Sequence, residues 1–168
     1  MRYQYSIKTV LIHCFWICFS VLPVFGQFDL YAQVVRVSDG DTIIIQAGDI
    51  DFRVRLHGID APELRQPMGT EARLMLERLL GVGSGRIPNP PTVRLMVTDI
   101  DRFGRIIARV FIEEQEVNLS LLELGYAWHY LEFDQSPEYA RAQETAQRDR
   151  RGVWAEDDPI APWEWRRR

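Results

Sequence analysis

A chain of 168 residues that is 46% hydrophobic carries enough apolar material for one compact domain with a real core, and not comfortably for two. Its formal net charge of −4 excludes a passive nucleic-acid coat, which needs a basic surface. Both cysteines, Cys14 and Cys18, fall in the first 26 residues, so the rest of the chain uses neither disulfides nor thiolate metal ligands.

The first stretch reads as an export signal. "MRYQYSIK" supplies Arg2 and Lys8 without an acid, "TVLIHCFWICFSVLPVF" is the apolar stretch, and Val24 and Gly26 meet the small-residue rule for cleavage near Gly26–Gln27. About 17 apolar residues is also the lower edge of a spanning helix, so the rival is an uncleaved anchor. Pro23 and the small residue at 26 favour cleavage, and neither cysteine follows the small residue that a lipoprotein site wants. The expectation is a secreted or periplasmic protein, with a membrane-anchored form facing outside as the alternative. Setting Arg2 and Lys8 aside leaves 18 basic residues, all arginine, against 24 acids, a net charge near −6. A polyanion must then be met locally, by a metal or by placed arginines, which bind phosphate bidentately.

From Leu30 the chain reads as short strands between turn signals: "LYAQVVRV" before "SDGD", "TIIIQ" before "AGD", then "IDFRVRLHG". Asp39-Gly40 and Gly48-Asp49 make the two hairpins of a three-strand meander. "GTEARLMLERLL" has apolar residues at 72, 74, 75, 76, 79 and 80, a helical stripe with Thr70 as N-cap and Glu71 in the first turn. "GVGSGRIPNPP" is a loop, and "TVRLMVTD" and "RIIARVFI" are two more strands joined by "IDRFG". "VNLSLLELG" is a short buried helix closed by Gly125, and Ser136, Pro137 and Glu138 open a longer one ending before Gly152. The predicted class is α+β, mainly β. Five strands with the first three hairpin-linked suit a five-stranded barrel of the OB type with about three helices.

Four places hold polar residues that such a barrel does not need: Asp39 to Asp41, Arg53 to Arg55, Asp60 with Glu63, and "DIDRFGR" ending at Arg105. Each alone has a plain explanation as a turn, an exposed strand residue or a surface pair; together they fall at corresponding strand ends. Arg53, Arg55 and His57 alternate with Val54 and Leu56, which sets the arginines on the open face of the third strand. Pro62 holds Ala61 extended and keeps Asp60 and Glu63 off a common helical face. Asp41, Asp60 and the Ala61 backbone carbonyl are hard oxygen donors that suit Ca²⁺, whose irregular shell water or substrate oxygens complete. The spacing is not that of an EF-hand, and no His/Cys set supports zinc.

"VSDGDTIII", "FRVRLHGIDAPE" and "DRFGRIIARVF", in that order and followed by helix-rich sequence ending in "RRGVWAEDD", resemble the staphylococcal nuclease (thermonuclease) family from about Val34 to Trp154. "GYAWHY" and "PWEWRRR" resemble its exported bacterial branch. The resemblance implies an OB-type barrel, calcium dependence and hydrolysis of DNA and RNA phosphodiesters by water, leaving 3′-phosphate ends. Carried over by residue, Asp41 and Asp60 match the calcium ligands with the Ala61 carbonyl as a third, alanine standing where the family has threonine. Glu63 matches the carboxylate proposed to act on the attacking water, either by taking its proton or by positioning it alone, and Arg55 and Arg105 match the phosphate clamp. The segment "LRQPMGTEA" is shorter than the family's lysine-rich loop, and among Tyr130, Leu131 and Phe133 the candidate for stacking on a bound nucleotide is Tyr130, with a core aromatic beside Trp128 as the alternative.

The organisation that follows is a signal over 1–26, a nuclease domain over 27–155 and a Trp/Arg-rich extension over 156–168, with DNA and RNA as partners and a monomer as the state. The rival functions are a non-catalytic nucleic-acid- or protein-binding module, expected to lack some of Asp41, Asp60, Glu63, Arg55 and Arg105, and a structural calcium-binding domain, which needs the carboxylates but not both arginines. His57 is expected as an exposed strand histidine and His129 as structural. Trp154, Trp163 and Trp165 read as a packing or interaction segment, and Arg166 to Arg168 as a basic tail, solvated or touching polyanions.

Overall fold

Buried Val37, Val54 and Leu56 between polar residues, and the buried run Ile43 to Ile45, set up the first three strands. The computed structural model describes residues 28–83 and 89–168. The signal expected over 1–26 lies outside the described residues, as does the middle of the Gly/Pro loop. Strands β1 (Phe28–Asp39), β2 (Thr42–Ala47) and β3 (Ile50–Leu56) form the expected antiparallel meander. β1 is shared: residues 28–33 pair with β5 (Thr92–Ile100), while Gln33 to Asp39 pair with β2 across two register shifts. Such bulges let a long strand coil from one neighbour to the next. β5 pairs antiparallel with β6 (Ile106–Ile112), and β6 closes on β3 in parallel through Val54↔Ile106, Arg55↔Ile107 and Leu56↔Ala108. The order β1-β2-β3-β6-β5 is the closed five-stranded barrel read from the sequence.

Val34, Ile43, Ile45, Val54, Leu95 and Val110 fill the barrel, and Leu76 and Leu80 of helix α1 (Gly69–Leu79) and its C-cap join that core. Helix α2 (Val117–Glu123) adds Leu121 and Leu122, and α3 (Pro137–Arg148) adds Tyr139 and Ala142. Three two-residue strands go beyond the predicted set: β7 (Gln115–Glu116) extends β6, and β4 (Ile59–Asp60) pairs with β8 (Trp128–His129). A 3₁₀ turn, Gly152–Ala155, follows α3, and the extension adds a one-turn helix, α4 (Pro162–Trp165). Trp128, Val153 and Ala161 form a satellite core with Met68, Trp154 and Trp163 packed on it.

The cap of α1 differs from expectation. Met68, in the left-handed region at φ 67°, caps the helix, and Thr70 lies inside its first turn. The entering chain turns on Gln66, whose carbonyl accepts the Gly69 N–H at 3.0 Å, so the helix begins before threonine can serve. Gly69 is needed there because a Cβ would sit 1.9 Å from the Glu63 carbonyl oxygen. Ser136 does cap α3, but its hydroxyl donates to Asp134 Oδ1 at 2.6 Å and makes no bond to the helix.

Candidate active site

The β1–β2 turn is pressed against the segment after β4. A Cβ on Gly40 would lie 2.7 Å from that of Ala61 and 2.8 Å from that of Ala72, so only glycine permits the approach. That approach brings Asp41 beside Ala61, whose N–H donates to Asp41 Oδ2 at 2.7 Å. Across the hairpin Thr42 is registered with Arg55, and the Arg55 guanidinium joins Asp41 Oδ1 through Nη1 and Asp60 Oδ1 through Nη2. Thr42 Oγ1 donates to Asp41 Oδ1 at 3.1 Å. Both carboxylates are buried, at 2% and 0% exposure.

Burial pushes the Asp41 carboxyl up to about 8 against the pull of Arg55, with Asp39 and Asp60 adding to the rise and the Ala61 amide opposing it. For Arg55, burial works against the charge, but Asp41 and Asp60 more than restore it. Two acids thus share one buried site where keeping both charged is costly, and their donors are hard oxygens, the kind of site a divalent cation suits. Among the described residues no group of three His, Cys, Asp or Glu side chains is placed to hold a metal. A cation would rest on Asp41, Asp60, main-chain oxygen and water or substrate.

Glu63 stands at the mouth. Its backbone is fixed in a turn, accepting the Gln66 N–H at 2.8 Å and donating to Gln66 Oε1 at 3.2 Å. Its carboxylate, 42% exposed, accepts Arg166 Nη1 at 2.7 Å. Arg166 also donates Nη2 to Asp60 Oδ2 at 2.8 Å and Nη1 to Asp60 Oδ1 at 3.2 Å. The structure thus gathers Asp41, Arg55, Asp60 and Glu63, as the sequence led one to expect, and adds Arg166.

Among the described residues Arg105 is not joined to this network. Its Nε donates to Asp101 Oδ2 at 2.7 Å, its N–H to Asp101 Oδ1 at 3.0 Å, and its guanidinium lies 5.7 Å from the Phe103 ring. It precedes Ile106, which pairs with Val54, so the turn carrying it runs alongside the strand that carries Arg55. Tyr130 is half-buried and stacks on Trp163, with centroids 5.2 Å apart and planes at 12°, while Phe133 meets it edge-on.

His57 corrects its expectation. It is half-buried, with Nδ1 3.2 Å from Thr98 Oγ1 and Nε2 3.5 Å from Asp134 Oδ2. His129 is buried and structural as read, 3.0 Å from Asp134 Oδ1. Sequence reasoning missed Arg166 and Gln66. No local pattern marks Arg166, whose partners lie 103 and 106 residues away; the available signal was Trp163 in "PWEWRRR", which packs on the satellite core.

The family model described as staphylococcal nuclease homologue matches residues 53–156. This span holds Arg55, Asp60, Glu63 and Arg105 and omits Asp41 and Arg166. An uncharacterized endonuclease of Haemophilus influenzae is 34% identical over 161 residues, covering 95% of this chain and 86% of the relative. The chain belongs to the staphylococcal nuclease family. An uncharacterized endonuclease of Escherichia coli is 36% identical over 141 residues, 83% of this chain and 87% of its own. A probable staphylococcal-like nuclease of Oryza sativa subsp. japonica is 39% identical over 135 residues, 80% of this chain. This staphylococcal nuclease homologue spans only about a third, 33%, of that plant protein.

Proposed function

We propose that this chain is an exported, calcium-dependent endonuclease that hydrolyses DNA and RNA phosphodiester bonds and leaves 3′-phosphate ends. The observation that carries the reading is the convergence of two buried carboxylates, Asp41 and Asp60, on one guanidinium, Arg55, with Glu63 at the mouth. Asp41, Asp60 and the Ala61 carbonyl would hold Ca²⁺, which supplies positive charge against the phosphate oxygens when bound. Arg55, with Arg105 from the neighbouring turn, engages those oxygens and stabilises the charge that builds as water adds to phosphorus. Glu63 orients the attacking water and takes its proton. The bond from phosphorus to the 5′ oxygen breaks, that oxygen takes up a proton, and the phosphate stays on the 3′ side. Tyr130 is the residue offered to a base.

End-group analysis tests the chemistry: a 5′-labelled oligonucleotide incubated with the protein and calcium should yield fragments bearing 3′-phosphate, and fragments with 3′-hydroxyl ends would contradict the proposal. Export is checked by sequencing the N-terminus of protein recovered outside the cytoplasm, where Gln27 is expected first and Met1 would indicate a retained anchor.

A further inference from the structure

The extension reaches Glu63 by two separate routes. Gln66, which holds the Glu63 backbone in both directions, donates Nε2 to the Ile160 carbonyl at 2.6 Å. Arg166 then holds the Glu63 side chain, and the same guanidinium grips the fully buried Asp60 with both terminal nitrogens. Backbone and carboxylate of one residue at the mouth are therefore both indexed to a segment about a hundred residues further along the chain.

The segment is firmly seated. Ala161 and Pro162 are buried, Trp163 packs on Trp128 and Val153 in the satellite core and stacks on Tyr130, and α4 carries the chain from there to Arg166. Arg167 and Arg168 beyond it are exposed. A glutamate that is 42% exposed would otherwise sample several rotamers; tying Oε1 to Asp60 through one planar guanidinium selects among them. Among the described residues Oε2 takes no bond, so the anchored oxygen leaves the other to accept from water.

We infer that Arg166 is a positioning residue for the proposed hydrolysis: delivered by the Trp-anchored extension, it bridges Asp60 and Glu63 and aims the free Glu63 oxygen at the attacking water. This rests on the functional reading above and adds the extension to the active site. Lysine cannot replace the bridge, because one ammonium lacks the planar fork. Removing positive charge beside Asp60 also leaves calcium binding no weaker than in the wild type.

A double-mutant cycle on the full chain tests it, with calcium affinity measured by calorimetry and folding by circular dichroism. Arg166→Gln should lower kcat about tenfold, a fraction of the roughly 10²- to 10⁴-fold expected of the base itself, with KM little changed and calcium bound at least as tightly. Arg166→Lys should lose nearly as much, Arg168→Gln should match wild type, and Arg166→Gln should add nothing in a Glu63→Gln background. Equal losses in both backgrounds would make Arg166 act on substrate directly, and faster cleavage by Arg166→Gln at low calcium would make it a competitor of the metal; either overturns the inference. Cleavage that Arg166→Gln leaves untouched overturns the inference alone, whereas absence of cleavage by calcium-loaded wild type overturns the functional reading and the inference with it.

Discussion

The barrel mouth and the C-terminal extension bring charge to the same carboxylates by opposite means. At the mouth, Asp41, Arg55 and Asp60 lie within 20 residues of one another, on a hairpin and the short strand after it, and their hydrogen bonds are buried or nearly so. The extension brings one half-exposed arginine from far along the chain on a scaffold of tryptophans. Strand register sets the mouth, with Thr42 against Arg55 and Asp60 against Trp128, while the extension is placed by its small satellite core. Changes at the mouth should therefore affect stability and chemistry together, and changes in the extension should tune rate.

The largest effect is expected at Arg55. Arg55→Gln leaves buried Asp41 without its cation and Asp60 with Arg166 alone, and breaking such a group is destabilising by about 3–5 kcal/mol, to be read from urea unfolding; unchanged stability would mean the mouth is not held by charge. Next comes Glu63→Gln, which should lower kcat by roughly 10²- to 10⁴-fold while calcium binding by calorimetry stays as in the wild type. Wild-type turnover would remove Glu63 from the mechanism. Arg105→Lys should lose most activity without unfolding, since the bidentate fork is gone, with the melting temperature as control.

Smaller effects sharpen the contrast. Trp163→Ala takes a half-buried indole from the satellite core, for about 1–2 kcal/mol, and should lower kcat through Arg166 while leaving the unfolding behaviour of Arg55→Gln unaltered; a loss as large as that variant's would erase the distinction between the regions. His57 gives the smallest signal. Burial holds its imidazole below the ordinary 6.5, against the pull of Asp134, with Arg109 lowering it further and Glu116 raising it. The unfolded chain then binds the proton more readily, so this contribution is present above pH 6.5 and is lost as pH falls below it. His57→Gln should flatten that part of the melting-temperature profile, and an identical profile would contradict the assignment.

The same contrast explains what was legible in the sequence. Val54 and Leu56 alternating with Arg53 and Arg55 revealed a half-buried strand, and Asp41, Arg55 and Asp60 fell in one hairpin-linked stretch, so local pattern sufficed for the barrel and for bringing these three together, whereas the role of Glu63 came from the family resemblance and Arg105 pairs with Asp101 instead. His57 looked exposed because alternation reports the face of its own strand, and Asp134, which covers it, comes from the loop before α3. Met68 replaced Thr70 as the cap because the turn on Gln66, with its reach to Ile160, fixes where α1 begins. Arg166 was invisible for the same reason: its meaning depends on where the tryptophans dock, and docking is tertiary.

Metal-dependent cleavage tests the central claim most directly. A fluorophore-labelled single-stranded DNA is incubated with the purified protein in millimolar calcium, in magnesium, and in chelator. Cleavage in calcium that chelator abolishes and magnesium fails to restore is the predicted result. Binding of the DNA without cleavage under every metal condition would make the barrel a binding module and contradict the account.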